Sequence, residues 1–163
     1  MRLTSGSYTH LIYDVTVRRV PGKLTDHYDP RNKTVNLSES VYGSTSIAAI
    51  GVAAHECGHA MQDAGGYVPL RVRGALVPVA NFGAQISWPL ILIGILFSSG
   101  SSSMLITLGI LMFSLSVLFQ LVTLPVEFNA SSRAVNLLDR TGILAGQEVG
   151  QTRQVLSLSL IHI

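Results

Sequence analysis

The sequence predicts a mainly α-helical integral membrane protein. A small β element precedes a helix bearing two histidines, a two-helix apolar hairpin follows, and a last helix returns the chain. Three observations carry this prediction. His55-Glu56-Cys57-Gly58-His59 lies inside an apolar, alanine-rich run from Ser46 to Met61. From Gly74 to Val126, 53 residues pass without a single Asp, Glu, Lys, Arg or His. Glu127 is the first charged residue beyond that stretch.

Residues 11–37 read as the β element. Val15, Val17 and Val20 fall in a β-branched run, Asp29-Pro30-Arg31-Asn32 is a turn signal, and Thr34-Val35-Asn36-Leu37 alternates. A strand placed just before the helix either offers its edge to an extended peptide or simply covers the helix, and both readings stay open.

Ile47, Ile50, Ala54, Cys57 and Met61 recur at three- and four-residue steps, so the following segment is an amphipathic helix. Ser44, Thr45 and Ser46 offer an N-cap, and Gly65-Gly66 offers a stop. On a helix, His55 and His59 share one face and can bind one metal ion. Zn²⁺ favours such nitrogen ligands and keeps one position open for water in catalytic sites. Glu56 then lies beside that water as a general base, the H-E-x-x-H arrangement of zincin-like metalloproteases. A chance match is the alternative, expected in about one chain in a few hundred from average composition, and the helical setting argues against it.

The uncharged stretch has the length of two membrane spans joined by a turn, at roughly 20 residues each. The spans are expected at about 77–97 and 104–124, after a linker from Tyr67 to Arg73 and around a serine-rich turn at 98–103. Pro78 and Pro89 are tolerated in such helices. All 11 Lys and Arg residues lie outside the stretch, with Arg71 and Arg73 before it and Arg133 and Arg140 after it. The positive-inside tendency therefore puts the histidine helix on the cytoplasmic side of the inner (plasma) membrane. Pro125 should end or kink the second span, with a helix from Val126 to Asp139 beyond.

Two histidines leave the metal one protein ligand short. A third histidine at the six-residue spacing is excluded, because Gln62 and Gly65 occupy the positions concerned. Glu127 is the best placed carboxylate, with Asp139 and Asp63 as alternatives. Its other reading is a first-turn acid favoured by the helix dipole. His27 and Tyr42 stand as candidates for oxyanion stabilisation.

Composition narrows the class further. The chain has 163 residues, 48% apolar and 12% charged, the latter about half the usual share, and a mean hydropathy of +0.44. A net charge of +2 and no basic cluster argue against nucleic acid as a partner. Cys57, the single cysteine, reads as a small buried apolar residue, and the polar start Met1 to His10 is no signal peptide.

With these residues in view, the chain resembles the YugP-like membrane zinc metallopeptidases of bacteria. The carrying segments are Leu24-Thr25-Asp26-His27-Tyr28-Asp29-Pro30, the run Val52 to Ala60 around the two histidines, Ala75 to Asn81, and Leu124-Pro125-Val126-Glu127-Phe128-Asn129-Ala130-Ser131. The resemblance spans most of Val15 to Gln154. It implies a zinc endopeptidase with one Zn²⁺ on His55, His59 and Glu127 and with Glu56 as the base. More distantly the chain is similar to HtpX-type membrane proteases, which also place two spans between H-E-x-x-H and a glutamate. Many glutamate-ligand enzymes carry Glu-x-x-x-Asp; here that position is Ser131, so the support of the ligands must be built otherwise, with Asn129 as a candidate.

The expected organisation is a cytoplasmic β element and zinc helix over 1–73, a transmembrane hairpin over 74–126 and a cytoplasmic helical segment over 127–157. Residues 158–163 are what CTG TCT CTT ATA CAC ATC encodes, an end sequence of a common sequencing adapter. They are read as an adapter artefact on a fragment, and His162 is set aside as a ligand. The functional expectation is a membrane-embedded endopeptidase acting on protein or peptide substrates. The alternative is a non-catalytic membrane protein that binds metal or docks partners, but such a protein has no use for a carboxylate at Glu56. A channel or carrier is disfavoured because neither span holds an ionisable residue.

Overall fold

The computed structural model describes residues 14–97, 103–144 and 146–161. The N-terminal segment, most of the serine-rich turn and His162 lie outside the described residues. The described elements are strands β1 (Thr16–Val20), β2 (His27–Asp29) and β3 (Thr34–Ser38), then helices α1 (Ile47–Ala64), α2 (Val68–Leu96), α3 (Ser103–Thr141) and α4 (Gly146–Ile161). The chain divides into two compact units, residues 71–125 forming one and the segments on either side forming the other.

In the first unit, the sheet has the order β1-β3-β2, with β1 parallel and β2 antiparallel to β3. The β2–β3 turn is made by Asp29, whose carboxylate accepts from the Arg31 peptide N–H at 2.9 Å and from Asn32 Nδ2 at 2.7 Å. Asp26 ties down the far end of β3 by accepting from both the backbone N–H and the hydroxyl of Ser38. Alternation in Thr34 to Leu37 predicts one solvated face, yet every residue of β3 is buried. As the central strand it has neighbours along both edges, and Val35 and Leu37 pack with Ala60 of α1.

Helix α1 begins where the serines suggest, with Ser46 accepting from the Ala49 peptide N–H at 3.2 Å, and stops at Gly65 and at Gly66, whose φ is +66°. It packs against the sheet through Ala53 and Ala60, while Ala54 joins Ala134, Val135 and Leu138 of α3, Leu144 just beyond it and Leu156 of α4. Gly58 permits the close approach, since a Cβ there would collide with the carbonyl oxygen of Ala130 on α3. That crossing sets the histidine face of α1 against the segment carrying Glu127.

In the second unit, α2 and α3 meet along small residues. Ala80, Gly83, Ser87 and Gly94 of α2 and Gly109 and Ser116 of α3 are buried. Ser116 Oγ lies 2.9 Å from the carbonyl oxygens of Ala80 and Met112. Small residues let two apolar helices pack without a hydrophobic driving force. Phe82, Trp88, Leu92, Leu111 and Leu118 are exposed, and both helices are long and apolar enough to cross a membrane.

Two expectations are corrected. The segment 67–73 is not an extended linker, because α2 already begins at Val68; Pro69 sits in its first turn, where no helical N–H partner is required. Nor does Pro125 end a helix: α3 runs for 39 residues from Ser103 through Thr141, and the return segment is its last part. One lost backbone bond does not outweigh the bonds on either side.

Candidate metal centre

His55 and His59 are one turn apart on α1, their rings edge to face with centroids 4.7 Å apart. Glu127 enters from α3, one residue after Val126 seats that segment in the core, and its side chain is almost fully buried. Its Oε2 lies 3.0 Å from His55 Nε2 and 3.5 Å from His59 Nε2. One donor atom from each of the three residues lies within 4.8 Å of the others. No other such group of three His, Cys, Asp or Glu occurs among the described residues.

The alternatives for a third carboxylate are placed elsewhere. Asp63 accepts a hydrogen bond from the Tyr28 hydroxyl at 3.0 Å, and Asp139 is exposed. Burial, and then that bond to Asp63, push the Tyr28 hydroxyl well above its usual pKa. His27 makes local bonds with both ring nitrogens, Nδ1 to the carbonyl of Thr25 and Nε2 to the amide of Asn36, so no ring N–H is left for an oxyanion. Tyr42 is exposed in the turns between β3 and α1.

The support of the histidines comes from residues whose importance the sequence conceals. His55 Nδ1 lies 3.1 Å from Ser131 Oγ, so the serine at the expected aspartate position itself makes the contact. His59 Nδ1 lies 2.9 Å from Oε1 of Gln62, which is fully buried. Asn129 acts one step further out, on Gln62. The two immediate partners differ chemically. An amide oxygen only accepts, so His59 carries its proton on Nδ1 and presents a bare Nε2 when the ring is neutral. A hydroxyl both donates and accepts, so either tautomer of His55 is served.

This donor set fits a divalent cation. In neutral His59, the Nε2 lone pair faces the Glu127 carboxylate, two acceptors directed at one place. Two imidazole nitrogens and one carboxylate oxygen are the ligands of a three-residue catalytic zinc site. Beside them, burial foremost raises the Glu56 carboxyl above the ordinary range; the His59 and His55 rings oppose this, Glu127 adds to it, and the Tyr28 peptide N–H opposes it. Cys57 plays no part in ligation, and burial, with the nearby Glu56 charge, pushes its thiol up and away from the reactive thiolate.

The model of the family described as "Putative neutral zinc metallopeptidase" matches residues 8–160. The chain is also similar to the "Putative membrane protease YugP" of Bacillus subtilis (strain 168), with 47% identity over 150 residues. That alignment covers 92% of this chain and 65% of the relative, so the chain spans less than two thirds of the curated protein it matches. No solved structure matches it.

Proposed function

Since the chain belongs to this neutral zinc metallopeptidase family, we propose that it is a membrane-embedded zinc endopeptidase in which His55, His59 and Glu127 hold one Zn²⁺ and Glu56 is the general base. The observation that carries the reading is the convergence of two imidazoles and a buried carboxylate next to a second buried carboxylate that is not needed as a ligand. Bound there, Zn²⁺ supplies Lewis acidity and lowers the pKa of water.

The remaining chemistry belongs to the protein. Glu56 takes a proton from water at its carboxylate as the water oxygen bonds to the carbon of a peptide carbonyl. It returns that proton to the nitrogen of the departing amine as the C–N bond breaks, and is ready for another cycle. Burial that raises the Glu56 carboxyl suits a group that must accept and then release a proton. The substrate is a protein or peptide.

The membrane part of the reading rests on α2 and α3, on their exposed apolar faces and on the name of the Bacillus relative. Arg71 and Arg73 before the apolar stretch and Arg133 and Arg140 after it favour a cytoplasmic site on a multi-pass plasma-membrane protein.

The test is Glu56→Gln in the full-length gene product. The variant should keep its zinc and lose peptidase activity by several orders of magnitude. Cleavage at the wild-type rate would remove Glu56 from the mechanism. A wild-type protein that binds zinc but cleaves no peptide would favour a metal-binding or docking role.

A further inference from the structure

We propose that Arg133, acting through Asn129 and Gln62, fixes the tautomer of His59 and so presets its Nε2 as a metal ligand, whereas His55 is left free to choose. The proposal rests on the reading of His59 as a ligand.

These residues form one chain of hydrogen bonds. Arg133 has donors only, and its Nε donates to Asn129 Oδ1 at 2.8 Å, one helical turn away on α3. This turns the oxygen of the Asn129 amide toward the core. Gln62 Nε2 donates to that same oxygen at 3.0 Å and to the carbonyl oxygen of Val126 at 2.8 Å. Both of its amide protons are thus directed at acceptors, and reversing the amide would set oxygen against oxygen at Val126 and Asn129. The Gln62 oxygen must therefore face His59, and it accepts from Nδ1–H at 2.9 Å.

Burial makes the arrangement binding. Gln62 is fully buried and His59 nearly so, so water does not compete for these groups. A single reversed amide would leave buried polar atoms opposed, an error that a solvated side chain corrects at no cost. At His55 the partner is the Ser131 hydroxyl, which follows the ring by rotating. The metal-free site thus has one ligand with its lone pair already in place. The other ring can donate Nε2–H to Glu127 at 3.0 Å, and it moves that proton to Nδ1 when the cation arrives. Arg133, Asn129 and Gln62 are positioning residues, for none of them reaches the metal.

The relay makes a prediction that ordinary packing does not. Asn129→Asp keeps two acceptor oxygens, one for Arg133 and one for Gln62, and cannot be reversed; Asn129→Leu removes both. In a zinc competition titration with a chromophoric chelator, Asn129→Leu and Arg133→Met should raise the zinc Kd about 10-fold or more, within the 10–100-fold range of outer ligand partners, and Asn129→Asp should restore it to within a few-fold of wild type. The ¹⁵N shifts of His59 in the metal-free full chain should show protonated Nδ1 in the wild type and in Asn129→Asp, and mixed tautomers in Asn129→Leu.

Unchanged zinc affinity in folded Asn129→Leu would overturn the relay, as would a wild-type His59 protonated on Nε2. A wild-type chain that takes up no zinc would instead sink the ligand reading on which the relay depends. Equal losses in Asn129→Asp and Asn129→Leu would mean packing rather than tautomer control, and would also overturn it.

Discussion

His59 Nε2 and Glu127 Oε2 face each other at 3.5 Å, and Gln62 holds the only proton of the neutral His59 ring on the opposite nitrogen. Two acceptors so directed fit a cation between them, as in the proposed zinc site. Glu127→Gln should therefore weaken zinc binding strongly, because a neutral amide is a poorer ligand for a dication than a carboxylate. Because α3 runs unbroken from Ser103, Glu127 lies far from any helix N-terminus and the first-turn reading falls away; if Glu127 is not a ligand, the change should leave the metal in place. Zinc content of the purified variant decides between the two.

Ser131→Asp should tighten zinc binding. The added carboxylate would accept from His55 Nδ1 and settle that ring in the ligand tautomer, where the hydroxyl at 3.1 Å leaves the choice open. Chelator competition should show a Kd lower by up to about 10-fold. A higher Kd with the fold intact would mean that the mobile proton of His55 assists metal entry.

Gly58→Ala should destabilise the first unit by about 1–3 kcal/mol, because the new methyl meets the Ala130 carbonyl oxygen on a rigid helix. The midpoint of thermal unfolding should fall by about 2–4 °C for each kcal/mol. An unchanged midpoint would show that α1 and α3 can separate there freely.

A reporter fused after Ser101 should lie outside the cytoplasm and one after Asp139 inside it, given where the arginines fall. Opposite labelling would move the proposed site to the outer face.

What could be read in the sequence was local or strongly patterned. The caps of α1 act within a few residues, the motif spacing lies within one helical turn, and a 53-residue uncharged run needs no partner to be recognised. The burial of every residue of β3 is not legible locally, because it depends on β1 and β2 along its edges and on Ala60 of α1 against Val35 and Leu37. Pro125 does not end the helix but lies within α3, and the segment after Tyr67 is already helical from Val68. In the sequence alone, Gln62 marks only the absence of the glycine that a third-histidine motif requires. Its role depends on Val126 and Asn129, the latter 67 positions away, and no local signal announces such a partner. Ser131 was read as a missing aspartate, since a hydroxyl carries no ligand-supporting signature until a histidine is seen against it.

The separation of His55 and Glu127 by 72 positions along the chain also has a meaning for biosynthesis. A ribosome delivers the H-E-x-x-H helix first, then two apolar segments, and only then the carboxylate. Until the second of those segments has been made, a nascent chain has the two imidazoles but lacks the Glu127 carboxylate. On the proposed reading, synthesis order keeps the growing polypeptide without its full set of metal donors while it is still unfolded. Formation of the three-residue donor set therefore requires that the whole hairpin has been made.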